Sequence, residues 1–218
     1  MADSLITGTA DTIGRGLSTL TAATAALSGR DKPLHPRGVL TSGTLVRPGT
    51  TRPCGVSWLD ERGTDPVLVR TSRAIGLPAP LPDVAGLAVR VPSGAGFADL
   101  LLASTGWNLL GRHVLVPAVR RRQPLTTLLP YRTAIGPVVI GARPTGSDTL
   151  RLSWARVGHR WNALGTLTLD AERADDTRIS FDPVLNRPDG LEQYPWVALL
   201  RERSYALARA SRQNRSYA

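Results

Sequence analysis

A histidine and an arginine–tyrosine pair are the residues of this chain best suited to acid–base and ligand chemistry. His35 lies in a basic, proline-flanked stretch, and an imidazole titrates near neutral pH, which suits a general base. Arg201 and Tyr205 are four residues apart, so on a helix they share one face. A tyrosine has an ordinary pKa of about 10, which a neighbouring cation lowers. The alternative is structural: a lone histidine at a strand start is commonly hydrogen-bonded, and such a pair also occurs on solvated helices.

Eight strand-like segments are the elements that must position these residues. They are short, carry alternating apolar positions and end at Gly, Pro or Asp clusters. The predicted strands are residues 39–47, 66–74, 84–91, 97–104, 133–142, 149–157, 160–169 and 177–181. Residues 107–129 separate the two groups of four and are predicted to form a loop with one helix. This pattern predicts a mainly β (α+β) fold, an eight-stranded antiparallel barrel that can hold one small ligand.

Helices are predicted at both ends of the barrel. Residues 5–28 carry a weak helical stripe of apolar side chains, and residues 195–212 form a basic segment with helical character. We therefore predict three regions: an N-terminal helical arm over 1–31, the barrel with its C-terminal helix over 32–212, and a tail over 213–218. The arm can dock on the barrel, on a second subunit of a homo-oligomer, or on another protein.

Charge restricts the class of partner. The formal net charge is +10, and Lys32 is the single lysine. Such a charge favours anionic partners, whether nucleic acid, a membrane surface or a ligand with carboxylates. No nucleic-acid recognition motif accompanies the arginines at 120–122, so nucleic acid is not the expected partner. No apolar run reaches the roughly 18 residues of a membrane span, and the N-terminus is not that of a secretory signal, so we expect a cytoplasmic protein.

The order and spacing of several short motifs resemble those of the haem-dependent catalases. The motifs are a His-Pro-Arg-Gly turn, a strand ending Val-Arg-Thr-Ser, a strand with Asp-x-x-Gly-x-Ala-x-Arg, an Asp-Leu strand start, a Phe-x-Pro turn and an Arg-x-x-x-Tyr helix. They lie at residues 35–38, 66–72, 83–90, 99–100, 181–183 and 201–205. Each is weak alone in an arginine-rich chain, and their shared order carries the resemblance. It covers residues 32–105 and 177–212, as in a short, minimal member of that family.

The resemblance implies a site, a cofactor and an activity. Tyr205 would be the axial ligand of the iron of haem b, with Arg201 beside its phenolate. His35 would be the distal base that moves a proton between the peroxide oxygens, and Ser72 would hydrogen-bond its ring. The implied partners of the haem propionates are Arg70, Arg212 and Lys32. Arginine forks match carboxylates with two hydrogen bonds. The implied activity is that of a weak haem-dependent hydroperoxidase or peroxidase, acting on peroxide or a small molecule.

One departure from the family pattern argues against fast peroxide dismutation. Ala103-Ser104-Thr105 stands where the family has Asn-Asn-Thr, whose amide orients peroxide, and Asn108 is the next amide along the chain. The alternative function is therefore a catalase-like barrel without haem, which binds or hydrolyses another anionic small molecule in the manner of a phosphodiesterase. No metal-ligand cluster supports hydrolysis, since the three histidines are far apart in sequence.

Overall fold

The computed structural model of the chain describes residues 38–51, 53–73, 83–94, 96–118, 123–175 and 179–197. Within them the strands are β1 Gly38–Pro48, β2 Arg62–Arg73, β3 Ala85–Ser93, β4 Gly96–Ser104, β5 Leu125–Thr126, β6 Tyr131–Thr133, β7 Gly136–Pro144, β8 Thr149–Arg156, β9 Asn162–Asp175 and β10 Glu192–Gln193. One short helix, α1, spans Ser57–Asp60, and a 3₁₀ turn spans Gly111–His113. No helix among the described residues has the length and apolar content to cross a membrane.

Eight of these strands close into an antiparallel barrel. The ring runs from β1 through β2, β3, β4 and β5 to β7, and then through β8 and β9 back to β1. β6 pairs with β7, and β10 pairs with β6, so both belong to the same sheet but lie outside the ring. Closure gives each barrel strand a hydrogen-bonded neighbour on both sides. The predicted eight-stranded antiparallel barrel is confirmed.

Alternate side chains of the strands fill the barrel interior. Val67 and Val69 of β2 point inwards, as do Val138 and Ile140 of β7, and all four are buried in one apolar cluster. The residues between them point outwards, because successive side chains of a strand lie on opposite faces of a sheet. Burying each such side chain contributes roughly 1.5–3 kcal/mol, so this interior is the main source of stability.

The outer face of β1–β4 carries two rows of residues in register across the strands. The first row contains small residues, namely Gly38, Ser72, Gly86 and Ala103. The second row lies two residues away on each strand and contains Leu40, Arg70, Ala88 and Leu101. Leu40 and Ala88 pack with Phe181 in a separate apolar cluster on this outer face.

The end of the barrel differs from the predicted strands. A single strand, β9, replaces the two predicted at 160–169 and 177–181, and residues 179–181 form no strand. β9 bends at register shifts against β1 and β8, which lets one strand pair with β8 near its start and with β1 as far as Asp175. The polar run after Leu169 suggests a turn in the sequence, but here it supplies the partner of β1.

The eighth barrel strand is β5, which the sequence does not reveal. It has two residues, too few for an alternating pattern, and lies within the segment predicted to be a loop with one helix. In the described part of that segment the only helical feature is the 3₁₀ turn at Gly111–His113. Helix α1 is unpredicted. Residues 195–197 are helical, while the rest of the predicted C-terminal helix and the whole N-terminal arm lie outside the described residues.

Candidate functional site

Two of the predicted site residues, Arg70 and Ser72, lie in the described part of the chain. The other five, which are Lys32, His35, Arg201, Tyr205 and Arg212, lie outside it. Arg70 and Ser72 are two residues apart on β2 and therefore face the same side of the sheet. That side is the outer face of the barrel.

Arg70 is buried on this outer face, with 7 % of its surface exposed. Its backbone pairs with Leu40 on one side and Ala88 on the other. The guanidinium lies against the backbone of Gly38, because a Cβ built on residue 38 would be 2.7 Å from both Cζ and Nε of Arg70. Glycine at this position therefore lets the guanidinium pass close to the start of β1. Gly38 is the last residue of the His-Pro-Arg-Gly motif, but the motif does not predict its contact with Arg70.

Ser72 is half-buried and lies opposite Gly38 on β1 and Gly86 on β3. Neither glycine has a side chain that covers the sheet beside the hydroxyl. Ala103 follows in the same row, opposite Gly86. The row is therefore a shallow strip of backbone and small side chains, one step along the strands from the Arg70 guanidinium.

Ser104 and Thr105 follow Ala103, and their hydroxyl groups form hydrogen bonds within the protein. The Ser104 hydroxyl donates to the Val116 carbonyl at 2.6 Å and accepts from the Ala85 amide at 3.0 Å. The Thr105 hydroxyl is bonded to Gly106 and Thr126. Neither side chain offers a free donor to the outer face.

Asn108 also has a structural role. Its Oδ1 accepts the Gly111 amide at 2.6 Å and so closes the turn before the 3₁₀ segment. The side-chain amide that would orient a peroxide is therefore not supplied by residues 103–108. This agrees with the departure seen in the sequence.

A carboxylate clasp ties the outer face to the segment that follows β9. Asp99 is fully buried and accepts both Nε and Nη2 of Arg90, at 2.7 and 2.8 Å. Its Oδ2 also accepts the Asp182 amide at 2.8 Å and the Asn186 side chain at 3.0 Å. Arg90 further donates to the Ser180 carbonyl at 2.7 Å. The Asp-Leu and Phe-x-Pro motifs of the sequence are thus the two halves of one structural contact.

Other candidate groups do not form a second catalytic centre. Burial, with smaller contributions from Asp60, raises the pKa of the Cys54 thiol to about 11, so it is not a thiolate at neutral pH. Burial also lowers the pKa of the His113 imidazole, whose Nδ1 lies 3.0 Å from the Leu128 carbonyl. Among the described residues, no group of three or more His, Cys, Asp or Glu side chains is placed to hold a metal ion.

Among the described residues, Arg70 is the one side chain that the resemblance assigns to a haem propionate. Arg70 presents a planar guanidinium on the outer face, and the absence of a side chain at Gly38 leaves the room it occupies. A guanidinium stays protonated and matches a carboxylate with two parallel hydrogen bonds. The predicted iron ligand and distal base belong to the part of the chain outside the described residues.

Comparison with known proteins relates the fold to one group of structures. No protein-family model matches the chain, and no curated protein matches it. Among solved structures 102 chains match. One is the structure of a bacterial catalase, with a TM-score of 0.57 and 14 % sequence identity over 88 % of this chain. The alignment covers 59 % of that catalase, so the present chain spans less than two thirds of its length. The barrel described above is therefore a catalase-like fold.

Proposed function

We propose that this protein binds haem b against the outer face of β1–β4 and acts as a weak haem-dependent hydroperoxidase or peroxidase. The observation that carries the proposal is the buried Arg70 guanidinium held against Gly38. The position of Arg70 in a strand motif shared with the haem-dependent catalases supports the same assignment. A guanidinium matches a carboxylate such as a haem propionate with two parallel hydrogen bonds.

The covalent chain keeps the proposed distal base near this surface. His35 precedes Gly38 by three residues, which limits the separation of their Cα atoms to about 11 Å. Gly38 lies opposite Ser72 in the β1–β2 ladder. In this proposal the imidazole of His35 would reach the strip of small residues, and Ser72 would orient it.

The segment leading to the proposed iron ligand crosses the same face before it pairs with β6 as β10. Phe181 packs on Leu40 and Ala88, and the following turn is held by the Asp99 clasp. Arg201 and Tyr205 then follow in the segment for which the sequence predicts a helix. On one face of that helix, Arg201 would hold the Tyr205 phenolate in its ionised form.

Each residue would have a distinct task when the haem is bound. Haem supplies the redox chemistry that cleaves a peroxide. Tyr205 would hold the iron, and Arg70, Arg212 and Lys32 would bind the propionates. His35 would take a proton from one peroxide oxygen and deliver it to the other. Without an amide near Ala103 to orient the peroxide, turnover would be slow.

An absorption spectrum of the protein produced with a haem precursor tests the proposal. We expect a Soret band that weakens or shifts in Tyr205→Phe, and peroxide consumption that is lost in His35→Ala. His159→Ala is the matched control, because His159 is exposed. Protein that stays colourless after titration with haem would contradict haem binding. A Soret band with equal peroxide consumption in His35→Ala and the wild type would contradict the proposed base.

A further inference from the structure

A second cleft lies on the other side of the barrel, on the outer face of β7–β9. In the ring of strands, β7 is four strands from β2, which carries Arg70. The cleft has a volume of about 250 Å³. Its lining includes Trp107, Trp161, Arg143, Arg151, Ser153 and Asn162.

A rigid aromatic wall bounds the cleft. The rings of Trp107 and Trp161 stack with their centroids 4.3 Å apart, and the Trp161 indole N–H donates to the Trp107 carbonyl at 2.8 Å. Both rings lie against β7 because residue 141 is glycine: a Cβ there would be 2.8 Å from one ring and 2.9 Å from the other. Arg112, with 1 % exposed surface, stacks on Trp161 with its Cζ 4.7 Å from the ring centroid.

Two arginines face each other on the floor of the cleft. Arg143 and Arg151 are direct cross-strand partners on β7 and β8. Like charges in that position destabilise a sheet. In the described part of the chain no carboxylate lies within ion-pair distance of either guanidinium, and Arg143 instead lies over Trp107 at 5.3 Å.

Four other arginines of the described strands pair with acids, in the pairs Arg47–Asp65, Arg73–Asp83, Arg90–Asp99 and Arg132–Glu192. Within the described residues the two cleft arginines have no such partner, and neither do Arg62 and Arg156, but only the cleft pair are direct cross-strand neighbours. An anion between them would remove the repulsion that the sheet otherwise bears.

A hydroxyl in the cleft is also available to a ligand. Ser153 lines the cleft and makes no hydrogen bond through its side chain within the described residues. With the Asn162 amide beside it, the cleft offers hydrogen-bond donors from four side chains and contains no acidic group.

We propose that this cleft binds a phosphate group, either free or as the monoester of a compact molecule that packs against the tryptophan wall. A phosphate monoester carries a charge of about −1.5 to −2 at neutral pH, which balances two guanidinium groups, whereas one carboxylate does not. The volume lies below the roughly 300–1,000 Å³ of pockets for drug-sized ligands, so a compact molecule is expected. The site is separate from the proposed haem surface and does not depend on it.

Titration of the full-length protein with phenyl phosphate, inorganic phosphate and phenol tests this site. Calorimetry measures binding, and tryptophan fluorescence reports on the wall, since two of the five tryptophans of the chain form it. We expect phenyl phosphate to bind and phenol not to bind. Tighter binding of phenyl phosphate than of inorganic phosphate would identify a monoester as the ligand, and equal binding would identify free phosphate. Equal binding of phenol and phenyl phosphate, or no binding of either phosphate at millimolar concentration, would overturn the proposal.

A pair of arginine variants separates a built site from diffuse charge. Arg151→Met removes one cleft guanidinium, and Arg156→Met removes the same charge from the same strand outside the cleft lining. We expect phosphate affinity to fall at least tenfold in Arg151→Met and less than twofold in Arg156→Met. Equal losses in both would overturn the proposal. Thermal melts check folding, and phosphate should raise the melting temperature of the wild type and of Arg156→Met but not of Arg151→Met.

Discussion

At the scale of single residues, the outer face of β1–β4 depends on its glycines, which have no side chain, as much as on the side chains of Arg70 and Ser72. Gly38 leaves space for the Arg70 guanidinium, and Gly86, which is buried, has no side chain beside Ser72. Arginine supplies the charge, but glycine decides where that charge lies. The sequence pointed to Arg70 and Ser72, because both fall in a motif shared with the haem-dependent catalases. The contact between Gly38 and Arg70 joins two strands, and no local sequence pattern indicates it.

Replacement of Gly38 by alanine tests this contact. The new Cβ would lie 2.7 Å from Arg70, whose flexible end can move aside, so we expect the free energy of unfolding to fall by only about 1 kcal/mol. In the proposed haem complex, haem affinity should fall about tenfold, because the displaced guanidinium would lose its hydrogen bonds to a propionate. Haem titration followed at the Soret band measures this. Gly96→Ala is the control, since a Cβ at residue 96 meets no atom within 4 Å, and equal haem affinity in both variants would contradict the role of the contact.

His113 makes stability depend on pH in a predictable direction. Burial, with a smaller effect of the Arg112 charge, lowers the pKa of this imidazole below its ordinary value of 6.5, against the raising effect of the Leu128 carbonyl. Below pH 6.5 the unfolded chain gains a proton at His113 that the folded protein does not bind. Stability should therefore fall as the pH drops from 6.5 towards the folded pKa, by at most about 1.4 kcal/mol per pH unit.

Urea denaturation at a series of pH values measures this slope. The variant His113→Gln should lose part of it, and His159→Gln should retain it because His159 is exposed. The reverse pattern would show that the slope comes from another group.

At the scale of elements, the Asp99 clasp holds together two segments that are distant in sequence. Asp99 lies in the buried part of β4, while Asp182 and Asn186 belong to the turn after β9. The sequence indicated both motifs but not that they touch, because hydrogen bonding across more than 80 residues leaves no local pattern. The same limit applies to β5, whose two residues are identified only by their partners on β4 and β7.

Loss of the Asp99 charge should release the turn. In Asp99→Asn the side chain keeps its shape, but the Arg90 guanidinium loses its carboxylate partner, so we expect a loss of about 2–4 kcal/mol in the free energy of unfolding. Limited proteolysis should show new cleavage between residues 182 and 190. Asp170→Asn is the control, since Asp170 is exposed on β9. Identical melting temperatures for the two variants would show that the clasp is not needed.

At the scale of the whole molecule, barrel closure depends on the close approach of β1 and β9. A Cβ on Gly165 would be 2.4 Å from the Val46 carbonyl oxygen, and a Cβ on Gly43 would be 2.5 Å from the Thr168 carbonyl oxygen. Both positions lie near the register shifts of β9. Glycine allows the two paired backbones to approach closely at these points without a steric clash.

The variant Gly165→Ala should therefore weaken the closed barrel as a unit. The obstacle is backbone and cannot rotate away, so we expect a loss of about 3 kcal/mol in the free energy of unfolding, measured by thermal or urea denaturation. Gly146→Ala, where the nearest atom would be a Thr149 side-chain carbon at 3.6 Å, should change it by less than about 0.5 kcal/mol. Equal stability of the two variants would show that the close approach of β1 and β9 does not require glycine at position 165.

The sequence by itself determined the class of fold, most of the barrel strands and the identity of Arg70 and Ser72 as site candidates. Alternating polarity and turn residues are local signals, and a shared motif order needs no coordinates. Only the tertiary structure decided that β9 is one strand, that β5 closes the ring, and that Arg143 and Arg151 face each other with no acid beside them among the described residues. Those features depend on contacts between residues that lie far apart along the chain, and pairing energies of that kind are not encoded in any single segment.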